Sequence, residues 1–276
     1  MMKQSGRLRE QLLGKALDPF SGKTRQHVAL IAFLGWVGLG ADGLSSSCFG
    51  PEESFLALGP HTPLGLYLAA ATALTVFIIA IGYNQVIELF PNGGGGYRVA
   101  SSLLGPHAGL VSGAALIVDY VLTISTSIAA GIDALFSLIP PAYGVAKLSL
   151  EIIVTLLLLY LNLRGMKESI RVLIPIFLGF VGTHALLIAY GVFEHADRML
   201  TVIPVTVSET HTLASDLGWF AVIALLLRAY SLGGGTYTGI EAVSNSIQSL
   251  AEPRVRTGMV LFTWESLAAI LVMNQP

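Results

Sequence analysis

Apolar residues in this chain occur in long runs with few charges among them. Seven such runs lie near residues 27–58, 64–89, 108–139, 147–163, 169–193, 217–250 and 257–273. An α-helix needs about 20 predominantly apolar residues to cross a bilayer, so the pattern predicts seven membrane-spanning helices. Hydrophobic residues make up 54% of the chain and charged residues 12%, which is about half the charged share of an average soluble domain. We therefore expect an all-α polytopic membrane protein, the alternative being a large soluble enzyme with buried helices.

The distribution of Lys and Arg predicts how the chain is oriented. Residues 1–26 hold six basic residues and no apolar core segment, which is typical of a cytoplasmic lead-in and not of a cleavable signal peptide. If all seven runs cross, twelve Lys and Arg lie on the side of the N-terminus and two, Lys147 and Arg198, lie on the other side. Because basic loops stay in the cytoplasm, we predict a cytoplasmic N-terminus in the plasma membrane, the bacterial inner membrane being the expected location.

The first and the sixth runs are both interrupted by glycine and hydroxyl residues. The first contains G-L-G-A-D-G-L-S-S-S (38–47) and the sixth contains S-L-G-G-G-T-Y-T-G (231–239). Paired interruptions indicate an inverted-repeat transporter whose site lies near the bilayer midplane. We divide the chain accordingly into a first five-helix repeat (27–193), an extracellular connection (194–216) and an incomplete second repeat with spans six and seven (217–276). Since no counterparts of spans two to five follow, we expect a C-terminally truncated transporter.

Each interruption is expected to free backbone amides and carbonyls from helical hydrogen bonds. Lipid cannot satisfy such groups, so they must face protein, a wet cavity or a ligand. The glycines predicted to form the two breaks are Gly38, Gly40, Gly43, Gly233, Gly234 and Gly235. A tight helix–helix contact through small residues is the alternative. Asp42 favours a site, because a charge at the bilayer centre costs at least about 2.5 kcal/mol.

The third run places a carboxylate and two hydroxyls at helical spacing. Asp119, Thr123 and Ser127 are four residues apart, so they share one face of a helix. Together with Asp42 and the freed carbonyls they would form an anionic, all-oxygen site, which suits a hard cation such as potassium. Hydrogen bonds from Thr123 and Ser127 back to their own helix are the competing interpretation.

Glu241 follows the second break and lies either near the ion path or in an ion pair with Arg228. Two carboxylates in one cavity repel each other, which lets one of them hold a proton. The candidates for proton coupling or for the ion path are Asp42, Asp119 and Glu241.

Several other classes of function have no support in the sequence. There is no H-E-x-x-H or G-x-S-x-G motif, and Cys48 is the single cysteine. The glycine-rich segment F-P-N-G-G-G-G-Y-R (90–98) is not followed by G-K-[ST], so we predict a cytoplasmic turn and not a nucleotide site. We expect no enzyme, no catalytic residue, no cofactor and no transition-metal site.

Four segments of the chain carry a family resemblance. They are G-L-G-A-D-G-L-S-S-S-C-F-G-P-E-E, E-L-F-P-N-G-G-G-G-Y, S-G-A-A-L-I-V-D-Y-V-L-T-I-S and L-L-L-R-A-Y-S-L-G-G-G-T-Y-T-G-I-E-A-V-S-N. Together they resemble the amino acid–polyamine–organocation (APC) superfamily, and within it they look closest to the KimA-type potassium–proton symporters. The resemblance implies a LeuT-like inverted-repeat fold. It also implies that the ion is faced by Asp42, Asp119, Tyr120, Thr123, Ser127 and a threonine of the sixth-span break, Thr236 or Thr238. Where these relatives carry tyrosine, this chain has Phe49, and they continue with further spans and a soluble tail.

The expected function is thus proton-coupled potassium uptake by a secondary active transporter, with K⁺ and H⁺ as the transported ions. The alternatives are an amino acid permease of the same superfamily and a non-transporting membrane fragment. The partners expected are a monovalent cation or small-molecule substrate, the lipid bilayer and a second copy of the chain in a homodimer. Nucleic acid is not expected.

Overall fold

The computed structural model describes residues 29–273, so the predicted basic segment 1–26 lies outside the described residues. The described part is helical apart from turns and one isolated backbone pairing between Leu30 and Leu250. In chain order the helices are α1 (Ala32–Gly38), α2 (Gly40–Leu58), α3 (Gly65–Leu89), α4 (Gly95–Val99), α5 (Pro106–Phe136), α6 (Lys147–Arg164), α7 (Met166–Glu194), α8 (Met199–Leu217), α9 (Trp219–Leu232), α10 (Ala242–Asn245) and α11 (Arg254–Met273). Short 3-10 segments join some of them, at Thr62–Leu64, Pro141–Ala146, Gly233–Tyr237 and Ile247–Ser249.

Five segments of the described chain are long and apolar enough to cross a membrane. They are Thr62–Leu89, Pro106–Phe136, Pro141–Arg164, Met166–Glu194 and Trp219–Asn245. The sequence predicted seven, and the first and the last do not reach this length and apolarity. The first is divided into α1 and α2, and α2 carries three acidic residues, while α11 carries two arginines and Glu265. The chain is nevertheless a polytopic α-helical membrane protein.

The described residues form two compact units. One of them is Gly96–Leu173, which contains α5, α6 and the start of α7. Within it, Lys147 at the start of α6 pairs with the carboxylate of Asp133 near the end of α5. A side chain on Gly113 of α5 would lie 3.1 Å from the ring of Tyr97, so glycine allows the α4 turn to pack closely on α5.

The other unit is Leu30–Gly95 together with the residues from Ile174 on. Helix α2 lies at its centre and packs against α9, α11 and the 3-10 turn that follows α9. Leu30 pairs with the segment after α10, since its amide donates to Ser249 O (2.8 Å) and its carbonyl accepts from Ala251 N (2.8 Å). A buried apolar cluster joins α2, α3, α8 and α9 and consists of Leu58, Leu64, Leu68, Leu213, Val222 and Ala229.

The segment 194–216, which the sequence indicated as a polar connection, mostly folds as helix α8. Its buried face consists of Thr206, Thr210 and Leu213, which are spaced as one side of a helix. Thr206 donates to Pro63 O (2.8 Å), and His61 Nδ1 lies 2.7 Å from Glu209 Oε1. The face was missed because two of its three buried residues are threonines, which carry little hydrophobic signal.

The glycine-rich segment 90–98 makes a tight turn against the end of α10. Gly93, Gly94 and Gly95 have φ angles of 81°, 97° and 38°, which L-residues with a Cβ rarely adopt. The Gly94 amide donates to Asn245 O (3.1 Å). A carbonyl at a helix C-terminus has no helical partner, so this amide satisfies it. The glycines therefore serve a close backbone contact between the turn and α10.

Replacing Gly93 with alanine is expected to destabilise the protein by more than 1 kcal/mol. A left-handed residue with a Cβ costs roughly 1–2 kcal/mol, and here the Cβ would also lie 2.8 Å from Asn245 O. The melting temperature of the detergent-purified protein measures the effect. Gly96→Ala is the matched control, because Gly96 is exposed in α4 with nothing within 4 Å of a Cβ. Equal melting temperatures for the two variants would contradict the prediction.

Candidate functional site

The first interruption is confined to one residue. Helix α1 ends at Gly38, α2 begins at Gly40, and Leu39 between them has φ −111° and ψ −38°. The structure thus differs from the extended break expected over 38–47, and Gly43 lies inside α2. Asp42 lies in the first turn of α2 and is half-buried. Backbone amides there lack helical partners, and the helix dipole favours negative charge, which explains how a carboxylate is tolerated at this position.

The second interruption is longer. Helix α9 ends at Leu232, the 3-10 turn Gly233–Tyr237 follows, Thr238 is extended, and α10 begins only at Ala242. Gly239 has φ 85°, a conformation that favours glycine. Gly233, Gly234 and Gly235 thus lie in the interruption, as the sequence predicted.

Helix α2 contacts the second interruption. A Cβ on Gly239 would lie 2.6 Å from both the carboxyl carbon of Asp42 and the amide nitrogen of Gly43. Thr238 Oγ1 lies 2.9 Å from Ser46 Oγ. Thr236, which is 1% exposed, packs against the backbone of Gly50. The structure therefore brings Asp42, Thr236 and Thr238 to one interface between α2 and the sixth-span break.

This interface is rich in hydroxyl groups, several of which bond to nearby carbonyls. Ser47 donates to Leu44 O (2.6 Å), Ser54 donates to Ala229 O (3.1 Å), and Thr238 lies 2.7 Å from Gly235 O. Close helix packing through small residues, the alternative raised by the sequence, thus describes part of the contact. Asp42 and the backbone around Gly239 are the part that this packing does not explain.

The remaining predicted ion ligands lie on α5, in the unit Gly96–Leu173. Asp119, Tyr120 and Thr123 are half-buried, and Ser127 is exposed. The whole segment lies within one continuous helix, so Asp119, Thr123 and Ser127 share a face as the spacing predicted. Nearby hydroxyls of the same helix bond backwards, Ser125 to Val121 O and Thr126 to Leu122 O.

Two further acids lie near Asp42, and the sequence predicted only one of them as an ion-path residue. Glu241, a predicted ion-path residue, is half-buried and directly precedes α10, while its suggested partner Arg228 is exposed on α9. Glu265 of α11 was not predicted, although it is wholly buried and faces Gly43. The signal was a single acid within the apolar run L-F-T-W-E-S-L-A-A (261–269). Such a residue is expensive in a membrane and deserves a functional interpretation.

The donor set is one of oxygen atoms. Among residues 29–273, no group of three or more His, Cys, Asp and Glu is placed to hold a metal ion. Hydroxyls, carbonyls and single carboxylates are the donors that suit a weakly bound monovalent cation in transit. Cys48 Sγ lies 3.5 Å from His184 Nε2 of α7, which joins two helices without adding further metal ligands.

A helical membrane protein with two interrupted helices that meet at a carboxylate has the organisation of a membrane transporter. A family model described as "Amino acid permease" matches residues 31–274, and the chain belongs to this family of APC-superfamily permeases. It is similar to the "Potassium transporter KimA" of Bacillus subtilis (strain 168), with 34% identity over 223 residues. The alignment covers 79% of this chain and 36% of KimA, so the chain spans just over a third of the length of the curated relative that it matches.

Proposed function

We propose that the protein takes up potassium together with a proton, as a secondary active transporter that works by alternating access. The observation that carries the proposal is the contact between the two interrupted helices at Asp42. There a carboxylate, the Thr238 hydroxyl and irregular backbone lie together. The printed name of the similar KimA protein, a potassium transporter, supports potassium as the substrate.

In this proposal Asp42 supplies the charge that draws a dehydrated cation into the protein. The cation replaces its lost water with oxygen ligands, for which Thr236, Thr238 and backbone carbonyls of 233–239 are available on the sixth-span side. The family resemblance of the sequence also assigns Asp119, Tyr120, Thr123 and Ser127 of α5 to the ion. Proton coupling is assigned to the acids of the site, with Asp42, Asp119 and Glu241 as the candidates from the sequence.

The interrupted helices also support a LeuT-like inverted repeat as the proposed fold. Alternating access would then be a rocking of one helix bundle against another around the site. A cytoplasmic N-terminus in the plasma membrane follows from the positive-inside count of the sequence. In this orientation the turn 90–98 and the end of α10 lie on the cytoplasmic side.

An amino acid permease is the second candidate, and the description of the matching family favours it. An amino acid carboxylate would bind backbone amides at the sixth-span break, where a half-helix N-terminus attracts anions. Asp42 opposes this arrangement, because its charge would repel that carboxylate. A basic amino acid or a polyamine would still suit it.

A radiotracer competition assay distinguishes the two candidates. The protein, expressed at its natural full length and reconstituted in liposomes, is supplied with a rubidium tracer for potassium or with labelled amino acids. We expect tracer uptake that excess potassium suppresses and amino acids leave unchanged. Suppression by a basic amino acid or polyamine would establish the second candidate. Uptake of neither solute would contradict both and favour a non-transporting membrane protein.

A further inference from the structure

Among the described residues, Glu265 is the acidic or basic residue whose side chain is completely buried. Its exposure is 0%, and neither Oε1 nor Oε2 has a hydrogen-bond partner among the described residues. A buried carboxylate without a partner is strongly unfavourable in its charged form. Burial without a partner therefore favours the neutral form of this carboxyl group.

The carboxyl group lies against two glycines in the first turn of α2. A Cβ on Gly43 would lie 2.5 Å from Glu265 Oε1, and a Cβ on Gly40 would lie 3.7 Å from its carboxyl carbon. The indole nitrogen of Trp36 on α1 borders the same point, 3.4 Å from the Cβ position of Gly40. This nitrogen also lacks a hydrogen-bond partner in the described chain. Glu265 is thus aimed at the start of α2, one residue from Asp42.

The charged groups that act on Glu265 are acidic. They are Asp42 on α2 and Glu241 in the segment before α10. From α3, the neighbouring titratable group is Tyr83, whose ring lies 5.7 Å from that of Phe262, three residues before Glu265 on α11. No basic side chain in residues 29–273 compensates the carboxylate. Like charges close together favour the neutral form of one of them.

We propose that Glu265 carries the proton that is moved together with the cation. This inference rests on the proposed function and names the coupling group. In the closed arrangement α11 packs against Gly40 and Gly43. This arrangement forms only when the carboxyl of Glu265 is protonated and when a bound cation neutralises the charge of Asp42. Both negative charges must therefore be neutralised before the site closes, which obliges the two ions to travel together.

The proton step is a simple transfer. When the site is open, a carboxylate oxygen of Glu265 takes a proton from water on the side from which the cation enters. After closure and opening to the other side, the O–H bond breaks and the proton passes to water there. Glu265 is then again a carboxylate in contact with water, as it was at the start, and the next cycle can begin.

A proton fits this position better than a second metal ion. Among residues 29–273, no group of three or more His, Cys, Asp and Glu side chains could hold a metal ion. Glycine at 43 allows the carboxyl to lie flat against α2.

The test is reconstituted full-length transporter with Glu265→Gln, a replacement of the same shape that mimics the protonated acid. A permeant anion removes the membrane potential, and the lumen is made one pH unit more alkaline than the medium. One pH unit is worth a factor of about ten in concentration for one-to-one coupling, so wild type should accumulate rubidium tracer about tenfold. Glu265→Gln should equilibrate tracer without accumulation, because it closes without a proton.

A second readout separates coupling from folding. Tracer exchange under equal potassium on both sides needs no net proton movement, and Glu265→Gln should retain it. In infrared spectra, wild type should have the C=O band of a protonated acid in dry surroundings, and the variant should lack it. Glu53→Gln, on an exposed acid of α2, should accumulate tracer as wild type does.

The outcomes separate the inference from the proposed function. Tracer accumulation by Glu265→Gln at the wild-type level overturns the inference. If the variant loses both tracer exchange and tracer accumulation, the inference is also overturned, because Glu265 would then be a cation ligand or a structural group. Loss of accumulation in Glu241→Gln alone assigns the proton to Glu241 and also overturns it. A wild-type protein that moves no rubidium at all overturns the proposed function instead.

Discussion

Asp42→Asn is expected to lower tracer uptake by at least about tenfold. Asparagine keeps the shape and size of the side chain, so α2 should still form. What is lost is the attraction between a carboxylate and a dehydrated cation. If that attraction contributes about 1.4 kcal/mol or more to binding or to the transition state, the loss is tenfold or greater.

The measurement is initial rubidium uptake in potassium-starved cells that express the full-length transporter. Glu53→Gln removes an acid from an exposed position of the same helix and should keep uptake near the wild-type rate. Asp119→Asn, measured in parallel, tests the assignment of Asp119 to the ion. Uptake by Asp42→Asn at the rate of Glu53→Gln would exclude Asp42 as a cation ligand.

Gly50→Ala is expected to destabilise the interface between α2 and the sixth-span break strongly. The new Cβ would overlap Thr236 Oγ1 and lie 2.7 Å from Gly233 O. Thr236 is 1% exposed, and Gly233 is backbone, so neither moves away easily. Overpacking of this kind costs about 1–3 kcal/mol, and backbone clashes cost more. This outweighs the roughly 1 kcal/mol that alanine gains over glycine within a helix.

Gly82→Ala provides the control for Gly50→Ala. Gly82 lies within α3, is exposed and has nothing within 4 Å of a Cβ. Alanine there should be neutral or slightly stabilising, whereas Gly50→Ala should lower the melting temperature and the yield of detergent-purified protein. Adding Thr236→Ala to Gly50→Ala should restore part of the loss, because the two side chains compete for one space. A melting temperature for Gly50→Ala at or above that of wild type would contradict the packing.

Helical class and the paired interruptions could be predicted because their signals are local. Apolar runs of membrane-spanning length are visible in the sequence without knowledge of any neighbour. The glycines at 233–235 indicated irregular backbone, and the structure has a 3-10 turn there. Asp119, Thr123 and Ser127 share a helix face for the same reason, since the period of a helix is known in advance.

Features that depend on distant contacts were not predicted. The first break extends over Leu39 alone, because Gly38 is the last residue of α1 and residues 40–47 are helical within α2. The connection 194–216 largely became α8, because threonines bury a face against α3 and the segment before it. Glu265 was not predicted, because its burial and its position beside Gly43 depend on the packing of α11 against α2.

The sequence by itself determined that this is a polytopic helical membrane protein of a transporter family, with interruptions in two apolar segments. Hydrophobicity, helix length and glycine content are properties of neighbouring residues, so they can be read along the chain. Only the tertiary structure decided that the sixth-span break meets α2 at Asp42, and that the buried carboxyl of Glu265 faces Gly43 without a hydrogen-bond partner among the described residues. Burial and proximity of charges arise when residues more than 190 positions apart pack together, as Ser46 and Thr238 do, and no local pattern encodes that contact.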